Sequence, residues 1–104
     1  MSAALTLTRT RRPDGTPVLR VVGEIDRSNS PEFAAAVEKA VDAGAGRLTV
    51  DLSGVGYLDS AGLSVLFAHA DEIRVVVSEL LAPVLVVSGL AQLAEIAVAQ
   101  PRRD

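Results

Sequence analysis

The residues with the clearest chemical use lie in one run, Asp51-Leu52-Ser53-Gly54-Val55-Gly56-Tyr57-Leu58-Asp59-Ser60-Ala61-Gly62-Leu63. A strand ends at Leu52, a Gly-containing stretch from Ser53 to Leu58 reads as a loop, and the pair Asp59-Ser60 opens a helix. A serine at a helix start can cap it by accepting a backbone N–H. It can also present a hydroxyl in fixed geometry, open to covalent modification. In open α/β sheets function clusters beyond the carboxyl ends of the strands, where this run lies. On residue types alone, capping is the commoner use.

A second polar run, Gly23-Glu24-Ile25-Asp26-Arg27-Ser28-Asn29-Ser30, ends another strand. Asp26 there suits either an Asx turn or a contact to a partner. Glu24 reads as a solvated strand-end charge and Ser30 as a helix cap. Tyr57 reads as packing beneath the Ser60 segment. A hydrolase built on Ser60 needs a base within hydrogen-bond reach and an oxyanion hole. The sequence offers His69 alone, a helix length away, and no G-x-S-x-G elbow. Gly54 and Gly56 belong to no phosphate-cradling pattern.

The elements that must position these runs follow from periodicity. Residues 3–9 alternate as a half-exposed strand, and Arg11-Arg12-Pro13-Asp14-Gly15 is turn chemistry, so Val18 to Val22 closes a hairpin. Ser30-Pro31-Glu32 starts a helix. Phe33, Val37, Ala40 and Val41 give it an apolar stripe over about three turns, with Gly44 past its end. Arg47–Leu52 predicts a central strand, and Leu63–Ala70 a second helix opened by residues 59–62. Ile73–Val77, rich in β-branched residues, predicts a fourth strand. Pro83–Gly89 fits a short helix, with Pro83 first and Gly89 at the C-cap, better than a strand. Ala94–Val98 is a last strand or a closing helical segment. Alternation of strands and helices after a hairpin implies a single α/β domain with a mixed sheet of four to five strands and helices packed against it.

Composition excludes several classes. The chain has 104 residues, 49% hydrophobic, 22% charged and only 3% aromatic, so one aliphatic core is expected. With no cysteine and one histidine, neither a disulfide framework nor a thiolate or multi-histidine metal site is expected. A net charge of −3 argues against nucleic-acid binding. No apolar run reaches the length of a bilayer span and no secretory leader pattern is present, so a cytoplasmic location without a membrane partner is expected.

Gly23-Glu24-Ile25-Asp26, then Asp51-Leu52-Ser53-Gly54-Val55, then Leu58-Asp59-Ser60-Ala61-Gly62-Leu63, and last Ser88-Gly89-Leu90 occur in an order that resembles a STAS domain. The likeness is to the bacterial anti-sigma-factor antagonists (anti-anti-sigma factors). It covers essentially the whole chain, as a domain over residues 1–100 with a disordered tail at 101–104. The resemblance implies a binding module that is not an enzyme and uses no cofactor. It implies phosphorylation of Ser60 by a partner that is both anti-sigma factor and serine-protein kinase, with resetting by a serine phosphatase. Asp26, Ser28, Asp59, Ser60, Ala61 and Gly62 become the expected partner-binding residues. Many relatives carry Ser or Thr where Ala61 stands, so Ser60 is the single acceptor here. Other STAS domains serve as accessory subunits of lipid-transporting ABC ATPases, which is the alternative, and a few hold small molecules in apolar cavities.

Overall fold

The computed structural model describes residues 4–43 and 46–99. Strands β1 (Leu5–Arg11) and β2 (Pro17–Ile25) are followed by α1 (Ser30–Ala43), β3 (Leu48–Leu58) and α2 (Ser60–Ala68). Strand β4 (Ile73–Val77), helix α3 (Ala82–Val87), a 3-10 turn (Leu90–Gln92) and β5 (Glu95–Val98) follow. The five strands form one sheet in the order β1-β2-β3-β4-β5. The β1–β2 pair is antiparallel and the other three pairs are parallel. It is a single mixed α/β domain.

The hairpin closes where the turn residues stand. Gly15 N–H donates to the Arg12 carbonyl at 2.8 Å, and Thr16 N–H to Asp14 Oδ1 at 2.9 Å. Alternate residues of the parallel strands are buried: Leu19 and Val21, then Leu48, Val50 and Leu52, then Ile73, Val75 and Val77. They share one core with Phe33, Val37 and Ala40 of α1, Leu66 of α2 and Leu85 of α3. The period-two alternation therefore sends one face of the sheet to the helices, and Arg20, Thr49, Asp51 and Arg74 to the other.

Several boundaries differ from the sequence expectations. Residues 53–58 are not a loop but the second half of β3. β2 extends through Ile25, beyond the expected Val22, and gives that half a hydrogen-bonding partner. Register shifts between Arg20 and Val22, and again between Gly23 and Glu24, each accommodate one extra residue on β3. The Gly-rich composition thus marks bulges rather than a turn. Helix α1 runs for 14 residues, longer than three turns. Its first bond runs from Phe33 N–H to the Asn29 carbonyl at 3.1 Å, so Asn29 and not Ser30 takes the capping position. Helix α2 begins at Ser60 and stops at Ala68, and β1 sits two residues later than expected. The expected Pro83–Gly89 helix is present over Ala82–Val87, with Ser88 rather than Gly89 at its C-cap, and the last element is a strand. Gly44 and the 101–104 tail lie outside the described residues.

Candidate functional site

Ile25 and Leu58, the last residues of β2 and β3, are register partners. Asp59 N–H donates to the Ile25 carbonyl at 3.2 Å. The segments that leave these strands, Asp26–Asn29 and Asp59–Gly62, are therefore set side by side at the carboxyl ends of the two central strands.

The capping work at α2 falls to Asp59. Its Oδ1 accepts Ala61 N–H at 2.9 Å and Gly62 N–H at 3.2 Å, and its carbonyl accepts Leu63 N–H at 3.0 Å. Three donors of the first turn are thus satisfied by one residue. Ser60, the first helical residue, is exposed. Its hydroxyl makes no hydrogen bond to any described residue, while its carbonyl accepts Ser64 Oγ at 2.9 Å. The aspartate holds the turn and leaves the serine oxygen free.

Gly62 explains how tightly that turn is seated. A Cβ there would lie 2.4 Å from Leu58 Cδ1 and 2.8 Å from Ile25 Cγ2. The helix can approach the strand ends this closely only with glycine at this position. Gly62 is buried and offers no side chain to a partner; Ala61 is half-buried.

The neighbouring loop is equally fixed. Asp26 Oδ1 accepts both Ser28 N–H at 2.8 Å and Ser28 Oγ–H at 2.5 Å. These bonds stabilise the carboxylate, the hydroxyl contributing most, and hold the Asp26 pKa below its ordinary value. Asp26 N–H donates to Asn29 Oδ1 at 3.0 Å, and Asn29 Nδ2 donates to the Glu24 carbonyl at 2.9 Å. Asp26 is therefore an Asx-turn residue, and the Ser28 hydroxyl is committed to it. Buried Asn29, which clips this loop to the end of β2, was not among the expected site residues. Its signal was present: Asn is a favoured capping residue, and it stands directly before Ser30-Pro31-Glu32.

Two further placements bear on function. Tyr57, expected beneath the site, is 50% exposed because the bulged half of β3 turns its side chain outward. His69 is the C-cap of α2 and pairs with Glu72 at 3.1 Å. Nine residues at the helical rise put it about 14 Å from Ser60, too far to act as its base. Among the described residues no group of His, Cys, Asp and Glu is arranged to hold a metal, and no helix is long and apolar enough to cross a membrane.

One turn along α2 from Ser60, Leu63 borders an open apolar groove of about 400 Å³ with Pro83, Val84, Val87 and Ser88. Positions i and i+3 share a helix face, so Ser60 lies one turn from the residue through which α2 borders the groove. The sequence signal was the Val84–Val87 run. A six-residue helix can turn only Leu85 of that run fully inward, leaving Val86 and Val87 exposed.

A family model described as "Mlab, STAS domain" matches residues 8–95. The chain belongs to the STAS domain family. Among solved structures it is similar to an anti-sigma factor antagonist from Mycobacterium paratuberculosis, at 28% identity and a TM-score of 0.81 over 90% of this chain and 86% of the other. It is also similar in fold to the anti-sigma factor antagonist SpoIIAA in its unphosphorylated form, at 19% identity and a TM-score of 0.70 over 91% and 89% of the two chains. No curated protein matches the sequence.

Proposed function

We propose that this chain is an anti-sigma factor antagonist whose docking is switched by phosphorylation of Ser60. The observation that carries the reading is the exposed, unbonded Ser60 hydroxyl at the start of a helix that Asp59 already caps. The similarity to the mycobacterial antagonist, at 28% identity over most of both chains, supports the same class of function. The partner is an anti-sigma factor that is also a serine kinase. It recognises the neutral Ser60 surface, with the Asp26 loop beside it and the Leu63–Val87 groove one turn along. While it is held, the sigma factor is free to act in the cytoplasm.

In the switching step, the Ser60 oxygen attacks the γ-phosphorus of ATP bound to the kinase. The hydroxyl proton passes to a base of the kinase, the bond from phosphorus to the bridging oxygen breaks, and ADP leaves. A serine phosphatase reverses the state with water as acceptor. The phosphate adds about −1.5 to −2 charges. These lie next to Asp59, and burying them against a partner without compensation costs several kcal/mol. A loss of about 3 kcal/mol weakens docking more than a hundredfold.

A pull-down with the wild type, Ser60→Ala and Ser60→Glu tests the proposal. Capture of one kinase-fold protein by the first two and its loss with the third is the expected result. Equal capture by all three refutes the switch and favours a constitutive subunit, such as the ABC-ATPase accessory. Incubation with that kinase and ATP should place a phosphate on Ser60 and on no other residue.

A further inference from the structure

At the opposite end of the sheet from Ser60, the amino ends of β2, β3 and β4 surround a polar cleft of about 310 Å³. Arg12, Arg47 and Arg74 line it, together with Asp14, Thr16 and Thr49. The chain as a whole is acidic, with a net charge of −3 and only 10 basic residues, so three guanidinium groups around one cleft are a local excess. Register explains how they meet. Val18, Thr49, Arg74 and Glu95 are successive cross-strand partners in one row on the sheet face away from the helices. Arg12 comes from the hairpin turn and Arg47 directly precedes β3.

Internal carboxylates do not saturate these cations. Glu95 bridges two of them, Arg47 Nη1 at 3.0 Å and Arg74 Nε at 3.0 Å, which fixes the two side chains near each other. The Arg74 pair is poorly aligned, and buried Nε makes no hydrogen bond. Asp14 is occupied by the turn, accepting Thr16 N–H. Arg12 forms no ion pair or side-chain hydrogen bond among the described residues, and its charge acts at longer range on Asp14, whose pKa it helps the Thr16 hydrogen bonds to lower. Three guanidinium groups thus face two carboxylates, one of them shared by two cations and the other engaged by the turn.

We propose that this cleft binds a phosphate group, as the free ion or as the phosphate of a small monoester. The planar guanidinium fork matches phosphate oxygens two at a time, which a halide cannot exploit. A tetrahedral dianion would take the Arg12 guanidinium and the outward N–H groups of Arg47 and Arg74. Thr49, which also lines the cleft, carries a hydroxyl that can serve as a further donor. The site is independent of the Ser60 reading: nine residues of β3 lie between Thr49 and Asp59, a span of about 30 Å at the strand rise.

The test is a titration of the ¹⁵N-labelled full chain with inorganic phosphate, against chloride at equal ionic strength. The expected result is saturable shifts at Arg12–Thr16, Arg47–Thr49 and Arg74 with phosphate only. Arg12→Gln should weaken binding about tenfold, the usual effect of removing one charge-assisted contact. Arg20→Gln removes the same charge outside the cleft and should leave affinity unchanged. Glycerol 1-phosphate distinguishes the sources: tighter binding than phosphate assigns the cleft to a monoester, and equal or weaker binding to the free ion. Shifts that chloride reproduces, or equal weakening by Arg12→Gln and Arg20→Gln, overturn the proposal.

Discussion

Replacing Gly62 by alanine tests how α2 is seated under Ser60. Two effects of opposite sign compete. Alanine is favoured over glycine within a helix by about 0.8–1 kcal/mol. Against that, the new methyl would lie 2.4 Å from Leu58 Cδ1 and 2.8 Å from Ile25 Cγ2. Leu58 Cδ1 ends a flexible side chain and can rotate away. Ile25 cannot: it is fully buried and β-branched, so its Cγ2 moves only with the strand. Overpacking of this kind costs about 1–3 kcal/mol. The clash therefore outweighs the helix preference, and a net loss of about 1 kcal/mol is expected. With an m-value of about 1 kcal/mol/M, the urea midpoint should fall by roughly 1 M. A double-mutant cycle with Ile25→Ala, which removes Cγ2, locates the cause: the clash should be relieved in the double variant, as a favourable coupling of about 1 kcal/mol. An unchanged or raised midpoint for Gly62→Ala would refute the claim that close packing on Ile25 sets the position of the Ser60 turn.

Three further substitutions separate the roles assigned to neighbouring residues. Asp59→Ala should cost about 1 kcal/mol by loss of the α2 cap, while Asp59→Asn, which keeps an acceptor oxygen, should cost clearly less; equal losses in thermal melts would deny the cap. Gly23→Ala combines a φ of +120° with a Cβ 2.2 Å from the backbone oxygen of Ala4. It should cost about 3 kcal/mol or more and speed hydrogen exchange at the Glu24 amide, which donates to that oxygen. Ser28→Ala should raise the Asp26 pKa toward 3.8, read from the carboxyl carbon by NMR titration. Because the folded-state pKa is depressed, the stabilisation it reflects is present above the unfolded value and lost as pH falls through the folded one. The difference between Ser28→Ala and the wild type should therefore fade below about pH 4. An Asp26 pKa that ignores the substitution would show that the Ser28 hydroxyl is not its main stabiliser.

The order of elements and the mixed sheet were legible because the aliphatic residues keep their period: Leu48, Val50 and Leu52 alternate inward, and Phe33, Val37 and Ala40 recur at helical spacing. The Asp59-Ser60 helix start was legible for a local reason, since capping depends on three or four consecutive residues. The division of labour between the two was not. Which of two adjacent polar residues caps depends on where the preceding strand releases the chain, and that point is fixed by the Ile25–Leu58 pairing between distant segments. The second half of β3 was illegible for the same reason. Ser53, Gly54 and Gly56 carry turn composition, and only an extended partner strand keeps them in the sheet. Thr49 and Arg74 gave no signal either, because a cross-strand row is a property of register and not of spacing along the chain.

The way the first turn of α2 is satisfied constrains how a modification at Ser60 would act. A phosphate at a helix start ordinarily gains by bonding to free N–H groups there. Here the Ala61, Gly62 and Leu63 donors are already held by Asp59. A phosphate on Ser60 would have to displace that carboxylate to reach them, and it would meet like charge in doing so. Remaining outward, it keeps its hydration and the repulsion from Asp59 is screened by solvent. The packing beneath reinforces this outcome, because Gly62 lies against Leu58 and Ile25 and leaves the turn no room to settle inward. The modification would then change the charge of the surface without changing the fold, and its effect would fall on whatever docks there. A switch of this form needs a rigid platform more than a mobile one, and the cap, the buried glycine and the Asn29 clip supply it.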